Sequence, residues 1–453
     1  MNAASPIPRS TCAGALWPAF PGVEAAQLLA LQYQLEQSQW WPAAEIERHQ
    51  LLQMQSVLRH AYRTMPFWHG RLAAAGYAPD RLLGGDQFLK LPLLARGDIH
   101  AAGPALMCDA PPVAHGPVHE IKSSGSTGEP VLTHGTGLTR LMWSALLLRE
   151  HLWHQRDFRG KLAIIRSMVE DAALPDWGPP IRDVFETGRA AVLDVVADID
   201  AQLDWLQREQ PDYLLSLATN VHALARRSLE LGIHLPQLKE VRTFAESMRP
   251  DLRALVMQAW GVRVTDSYSA QELGYIALQC PQAGHYHVQS ESLLVEVINE
   301  RGLACVPGEI GRVVVSTLHN FSTPLIRYVN GDYAEAGAPC ACGRGLPVLT
   351  RIMGRQRNMI VLPDGKRHWP SFPLSLVLPV APVRQLQLVQ DRKDHVEARL
   401  VLQQDLTPGQ SSALIKVLQK SLGYPFHLTL RRVQEIPRNA GNKYEDFMTL
   451  LDS

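Results

Sequence analysis

The sequence predicts an α/β protein: a large N-terminal multi-layer α/β region with a strand-rich subdomain, then a small α+β C-terminal lid. Three observations predict it. Between residues 138 and 231, short apolar runs alternate with helix-period segments, the pattern of strands joined by helical crossovers with parallel sheet character. From Leu293 to Leu325 the pattern shifts to strands separated by turn residues. Beyond Gly354-Arg355 the remaining chain reads as short strands around one helix.

From Val23 to Ala75 apolar residues recur three and four apart, through Leu51, Met54, Val57, Leu58 and Ala61, which is a helical period. Val118-His119-Glu120-Ile121 and Val131-Leu132 are extended, with a loop hung between them. Leu138 to Trp153 is helical and Leu162 to Ile165 a short buried strand. Asp200 to Glu209 is a helix, Tyr213 to Leu217 a strand and Val221 to Leu231 a helix. Leu293 to Val297 and Arg312 to Val315 are strands of the second region. Leu386 to Val389, Glu397 to Leu402, Ser411 to Leu422 and Leu428 to Val433 build the small domain. The expected boundary falls near residue 355, dividing 1–355 from 356–453.

A chain of 453 residues is long for one core. Hydrophobic content of 46% and charged content of 19% describe an ordinary globular protein. The 44 basic and 44 acidic residues cancel, which argues against bulk attraction to nucleic acid or an anionic membrane. The longest apolar run, Leu374 to Val380, is broken by Pro379 and falls well short of the roughly 20 residues of a membrane span. The first residues show no continuous apolar leader, so a cytoplasmic location is the default expectation. Six cysteines do not make a disulfide scaffold, and Cys12, Cys108 and Cys305 stand isolated. Oligomeric state leaves no signature here.

The loop Lys122 to Pro130 carries the most chemistry. Ser123, Ser124, Gly125, Ser126, Thr127 and Gly128 place four hydroxyls and two glycines in one run. Such a loop can turn N–H groups and hydroxyls inward together, as an oligophosphate requires. A flexible Ser/Gly surface turn has the same composition. It is not a Walker A loop, because no Lys-Ser/Thr pair follows the second glycine.

Four further motifs follow in order: Asp266-Ser267-Tyr268-Ser269-Ala270-Gln271-Glu272, Arg327-Tyr328-Val329-Asn330-Gly331-Asp332, Gly354-Arg355, and Pro437-Arg438-Asn439-Ala440-Gly441-Asn442-Lys443. With the Ser/Thr/Gly loop, this series resembles the motifs of the acyl-adenylate-forming (AMP-dependent) synthetases and ligases, and within them the phenylacetate–CoA ligase-like branch. The resemblance runs from about Leu58 to the end and includes His60 to Phe67 and Leu91 to Leu94.

The resemblance implies ATP-dependent activation of an aryl or apolar organic acid as an acyl-adenylate, then transfer to a thiol of CoA or a carrier-protein phosphopantetheine. It implies that Ser123 to Gly128 close over the β- and γ-phosphates and that Glu272 binds Mg²⁺. Tyr268 would lie near the adenine, Asp332 would take the ribose hydroxyls, and Arg355 would assist at ribose or phosphate. Lys443 would stabilise the charge shared by carboxylate and α-phosphate. Lys366 to Pro370 would line the thiol tunnel, and Phe244 to Ser247 with Tyr275 would lie near the acid. Transfer to an amine, or a nucleotide-binding interaction protein without catalysis, are the alternatives. Departures from the pattern include Glu129 after the second loop glycine, Gln271 before Glu272, Val329-Asn330 in place of the commoner Arg-Thr before Gly331-Asp332, Arg357-Asn358 at the usual acidic hinge, and Asn442 between Gly441 and Lys443.

Cys280, His287, Cys340 and Cys342, with His285 as the alternate imidazole, flank the strand-rich segment. Three thiolates and one imidazole would make a closed tetrahedral Zn²⁺ site, structural because no coordination position stays open. Cysteines at these positions are also a feature of the resembling branch. Reduced thiols beside ordinary histidines are the plain alternative.

Overall fold

Helical periodicity at the start of the chain becomes three helices, Val23–Ser38, Ala43–Thr64 and Pro66–Ala74. Pro66 sets the last boundary: Met65 before it is extended (φ −122°, ψ 115°), and proline opens the next helix where its missing N–H costs nothing. The computed structural model describes residues 6–451 except 124–129, 168, 371, 373 and 438–443.

Among the described residues a 12-stranded sheet organises the large region. Its parallel block runs in the order Ala190–Asp194, Leu162–Arg166, Tyr213–Leu217, Glu240–Phe244 and Arg263–Ala270. Ala190–Asp194, Leu162–Arg166 and Tyr213–Leu217 are short and mostly apolar and buried, as strands covered by helices must be. Glu240–Phe244 and Arg263–Ala270 also carry buried polar and charged side chains. Leu203, Leu206, Val221, Leu224 and Val256 from the intervening helices pack on Ala163, Leu214, Val241 and Val264. From Arg263–Ala270 the sheet continues antiparallel through Gly274–Gln279, Tyr286–Val288, Val348–Arg355, Tyr328–Ala336, Ile310–Thr317 and Leu293–Ile298. Met54, Leu58 and Trp68 of the first helices bury against Tyr268, Val313, Val315 and Tyr328 of this half.

Four buried charged residues stitch the parallel block to the Gly137–Trp153 helix. Arg156 pairs with Glu150 at 3.0 Å and Glu240 at 2.7 Å, and Arg242 with Glu150 at 2.5 Å. Thr265 Oγ1 donates to Glu240 at 2.6 Å.

Beyond Arg355 a second sheet forms, with Val383–Arg392 and His395–Leu402 antiparallel at its centre. His427–Arg432 and Phe447–Thr449 flank them in parallel pairing. Helix Pro408–Leu422 covers one face, burying Leu414, Leu418 and Leu422 on Leu388, Val396 and Leu400. Among the described residues no helix is long and apolar enough to cross a membrane.

Candidate active site

Parallel strands present their carboxyl ends to one side, where a ligand crevice forms in open α/β sheets. Glu240–Phe244 ends in the turn Ala245-Glu246-Ser247, with Ala245 in the left-handed region (φ 64°). Arg263–Ala270 ends in the tight turn Gln271-Glu272-Leu273 before Gly274. The two turns therefore lie at the same end of neighbouring strands.

Tyr268, Asp332 and Arg355 come together from three strands. Tyr268 is buried, and its hydroxyl donates to Asp332 Oδ2 at 2.8 Å. Asn330 Nδ2 donates to the Tyr268 oxygen at 2.8 Å and to Asp332 Oδ2 at 3.0 Å. Asp332 and Arg355 face each other in register, with Arg355 Nε 3.4 Å from Asp332 Oδ1. Burial, together with the Asp332 charge, pushes the Tyr268 phenol far above its ordinary value, which keeps it a donor. Gly354 has φ 89°, and a Cβ there would meet Ser247 Oγ at 2.8 Å. Glycine at that position lets the Arg355 strand close on the 245–247 turn.

Glu272 lies beside this group. Burial raises its carboxyl, while Arg355 and Arg96 favour the charged form and Asp332 opposes it. A carboxylate whose burial is only partly offset suits a divalent cation. Glu272 also lines a cavity of about 320 Å³ whose apolar walls include Met142, Trp143, Leu146, Leu273 and Tyr275. Trp143 and Tyr275 stand 5.1 Å apart between ring centroids. His119, Arg140, His319 and Asn320 supply polar lining.

Ser123 is buried at the base of the predicted phosphate loop. Its hydroxyl oxygen accepts from Val131 N–H at 2.7 Å, and its own N–H donates to Val131 O at 3.0 Å. Ser123 thus closes the neck between the antiparallel strands His119–Lys122 and Leu132–Gly135. Ser124, Gly125, Ser126, Thr127, Gly128 and Lys443 lie outside the described residues. Lys366 is exposed in a two-stranded hairpin and pairs with Asp364 at 3.0 Å.

The cysteines and histidines converge as well. Donor atoms of Cys280, His285, His287 and Cys340 all lie within 4.8 Å of one another. Cys280 Sγ is 3.9 Å from Cys340 Sγ, and Cys342 Sγ is 3.4 Å from His287 Nε2. A tetrahedron with Zn–S near 2.3 Å and Zn–N near 2.0 Å has edges of about 3.5–3.8 Å. The Cys280–Cys340 and Cys342–His287 separations are close to this and the thiol–imidazole donors suit such an ion, although the four donors that converge mutually include His285 and not Cys342. Arg344 donates to Cys342 Sγ at 3.5 Å and stacks between Trp40 and Trp153.

In the sequence Asn330 stands out only as a departure from the family pattern, with no role attached, and Trp143 and Met142 do not stand out. Trp143 and Met142 look like any helix-face apolar residues, and only the fold shows that they reach the cavity.

No family model matches the chain. Phenylacetate-coenzyme A ligase of Pseudomonas putida is 23% identical over 394 residues, covering 83% of this chain and 87% of that protein. 2-Hydroxyisobutyryl-CoA ligase, solved in the postadenylation state with 2-HIB-AMP, superposes with a TM-score of 0.71 at 19% identity, covering 91% of each chain. With the same ligase in its thioesterification state, bound to 2-HIB-AMP and CoA, the score is 0.59 at 19% identity and 91% coverage of each. The chain is therefore similar in sequence to phenylacetate–CoA ligases over most of its length and shares the fold of an adenylate-forming CoA ligase.

Proposed function

We propose that this chain is an AMP-forming acid–thiol ligase. It would activate an aryl or apolar carboxylic acid with ATP and pass the acyl group to CoA. The carrying observation is the meeting of Tyr268, Asn330, Asp332 and Arg355 next to Glu272 and an aromatic-walled cavity, at the carboxyl end of the parallel strands. Relatives named phenylacetate-coenzyme A ligase, similar over most of the chain, support the same reading.

The chemistry explains why these residue types are needed. A carboxylate oxygen attacks the α-phosphorus of ATP and pyrophosphate leaves, so two anions must be brought together. Glu272 would hold Mg²⁺, which supplies charge neutralisation when bound. Asp332 would accept the ribose hydroxyls, held in orientation by Tyr268 and Asn330, with Arg355 alongside. Lys443 would bring a cation to the reacting carboxylate and α-phosphate. Trp143, Met142, Leu146 and Tyr275 would enclose the apolar part of the acid and exclude water. The thiol then attacks the acyl carbonyl, and AMP departs. Residues 356–453 would form the lid that carries Lys443.

Cys280, His287, Cys340 and Cys342, with His285 as alternate, would hold a structural Zn²⁺ that pins the Cys280–His287 hairpin to the segment before Val348–Arg355. Product analysis tests the overall reading: purified chain, ATP, Mg²⁺ and phenylacetate or other aryl acids are supplied with CoA, a phosphopantetheinyl carrier protein or an amine. An acyl-CoA with stoichiometric AMP is expected. An amide or carrier-bound product alone would move the acceptor assignment, and no product from any acid would overturn the enzyme reading.

A further inference from the structure

The chain segment that immediately follows Lys443 is held from two sides. On the small-domain side, Tyr444 Oη donates to Leu386 O at 2.6 Å, Gln387 Nε2 to Glu445 O at 2.9 Å, and Asn358 Nδ2 to Phe447 O at 2.8 Å. Arg357 pairs with Glu445. On the large-domain side, the Tyr444 N–H donates to Glu246 Oε1 at 3.3 Å. Arg249 Nη1 lies 3.2 Å from Asp446 Oδ2, and Arg249 Nη2 donates to Phe372 O at 3.3 Å.

Glu246 is itself fixed. Its Oε2 accepts from Thr219 N–H at 2.9 Å and from Thr219 Oγ1 at 2.7 Å, at the start of helix Ala218–Leu231. A carboxylate there is favoured by the helix dipole and by orphan N–H groups. The left-handed turn at Ala245 brings Glu246 to that helix end, directly after the strand that leads to the crevice. One carboxylate thus clamps a helix of the large domain to the backbone next to the expected catalytic lysine.

We propose that Glu246, with the Arg249–Asp446 pair in support, is a docking latch that seats the 444–447 segment against the large domain for adenylation. Glu246 is then a positioning residue for the first half-reaction, released before the second. The inference rests on the ligase reading for what docking accomplishes, but not for the latch itself. Undocking breaks the Tyr444 N–H and Arg249–Asp446 contacts and leaves the Thr219 contacts intact, so the latch opens at one side only.

Two readouts on the full chain test this. The first is hydrogen–deuterium exchange of the 444–450 segment in wild type, Glu246→Ala and the charge swap Arg249→Asp/Asp446→Arg. The second compares phenylacetate-dependent pyrophosphate exchange with thioester formation from supplied phenylacetyl-adenylate and CoA. Glu246→Ala is expected to speed exchange in 444–450 by about tenfold while the Val383–Arg392 strand stays protected. It is expected to lower pyrophosphate exchange about tenfold more than thioester formation. Arg249→Asp alone should impair adenylation, and the charge swap should restore it. Because Glu246→Ala also strips a helix cap, Thr219→Val serves as the milder variant, with the same half-reaction bias at smaller amplitude. Unchanged exchange in 444–450, or equal loss of both half-reactions in every variant, overturns the latch. Should wild type activate no acid, the exchange measurement alone decides the latch, and the failure belongs to the proposed activity.

Discussion

Tyr268 and Asp332, 64 residues apart in sequence, share a 2.8 Å hydrogen bond in which the phenol donates to the carboxylate. This leaves Asp332 Oδ1 facing Arg355 and fixes the orientation of the whole carboxylate. A hydrogen bond to a charged group contributes about 1.5–3 kcal/mol. Tyr268→Phe is expected to raise the KM for ATP about tenfold with a smaller change in kcat, and Asp332→Ala to raise it further. Steady-state kinetics with ATP varied measures this, and an unchanged KM in both variants contradicts a nucleotide role for the pair.

Zinc is the second expectation. Elemental analysis of chain purified without chelator should find about one Zn²⁺ per chain, the stoichiometry of a single closed site. Cys280→Ser and Cys342→Ser should each reduce that content and lower Tm, and prolonged chelation should lower Tm in the same way. Full zinc content in both variants would show that the thiols are plain cysteines.

The buried Asp266 gives a pH signature. Burial pushes its carboxyl up to about 6 from an ordinary value of 3.8, although Thr243 and Tyr286 both donate to it. The folded state therefore holds the proton more tightly than the unfolded chain. The associated stability is fully present below 3.8 and is lost as pH rises through about 6. The unfolding free energy of wild type from denaturant titrations should fall relative to Asp266→Asn between pH 4 and pH 7, by on the order of 2–3 kcal/mol in total. A pH-independent difference between the two would show that the carboxyl is not shifted.

Glu240 faces two arginines, Arg156 and Arg263, and takes a hydrogen bond from Thr265. Glu240→Gln removes the negative partner and leaves the Arg156 charge less compensated in the interior. A loss of about 3–5 kcal/mol in unfolding free energy is expected, as for other broken buried pairs. Equilibrium denaturation reads it directly, and a loss below about 1 kcal/mol, the scale of an exposed pair, would contradict a buried network.

Much of this architecture is legible in the sequence, for definite reasons. Apolar runs such as Leu162 to Ile165 and Tyr213 to Leu217 are strands because each is too short for a buried helix, and the second leads directly into the helical period of Ala218–Leu231. The Leu293 and Arg312 strands were foreseen but begin or end a few residues away, since pairing across the sheet extends them beyond their apolar centres. Strand Phe447–Thr449 escaped notice because three residues carry no period, and its pairing with Val383–Arg392 is purely tertiary. Asp332, Arg355 and Tyr268 were legible as residues, whereas their mutual contacts depend on sheet register. Glu246 gave no sign of reaching Tyr444, because nothing local encodes a contact across 198 positions.

The proposed adenylation of a carboxylic acid would depend on Glu272 and Lys443. Acid-dependent exchange of labelled pyrophosphate into ATP, run across a panel of aryl and aliphatic acids, tests it most directly. Exchange is predicted with at least one apolar acid, falling by about a hundredfold or more in Lys443→Ala and in Glu272→Ala. Exchange that persists undiminished in both variants, or its absence with every acid in wild type, would contradict the account.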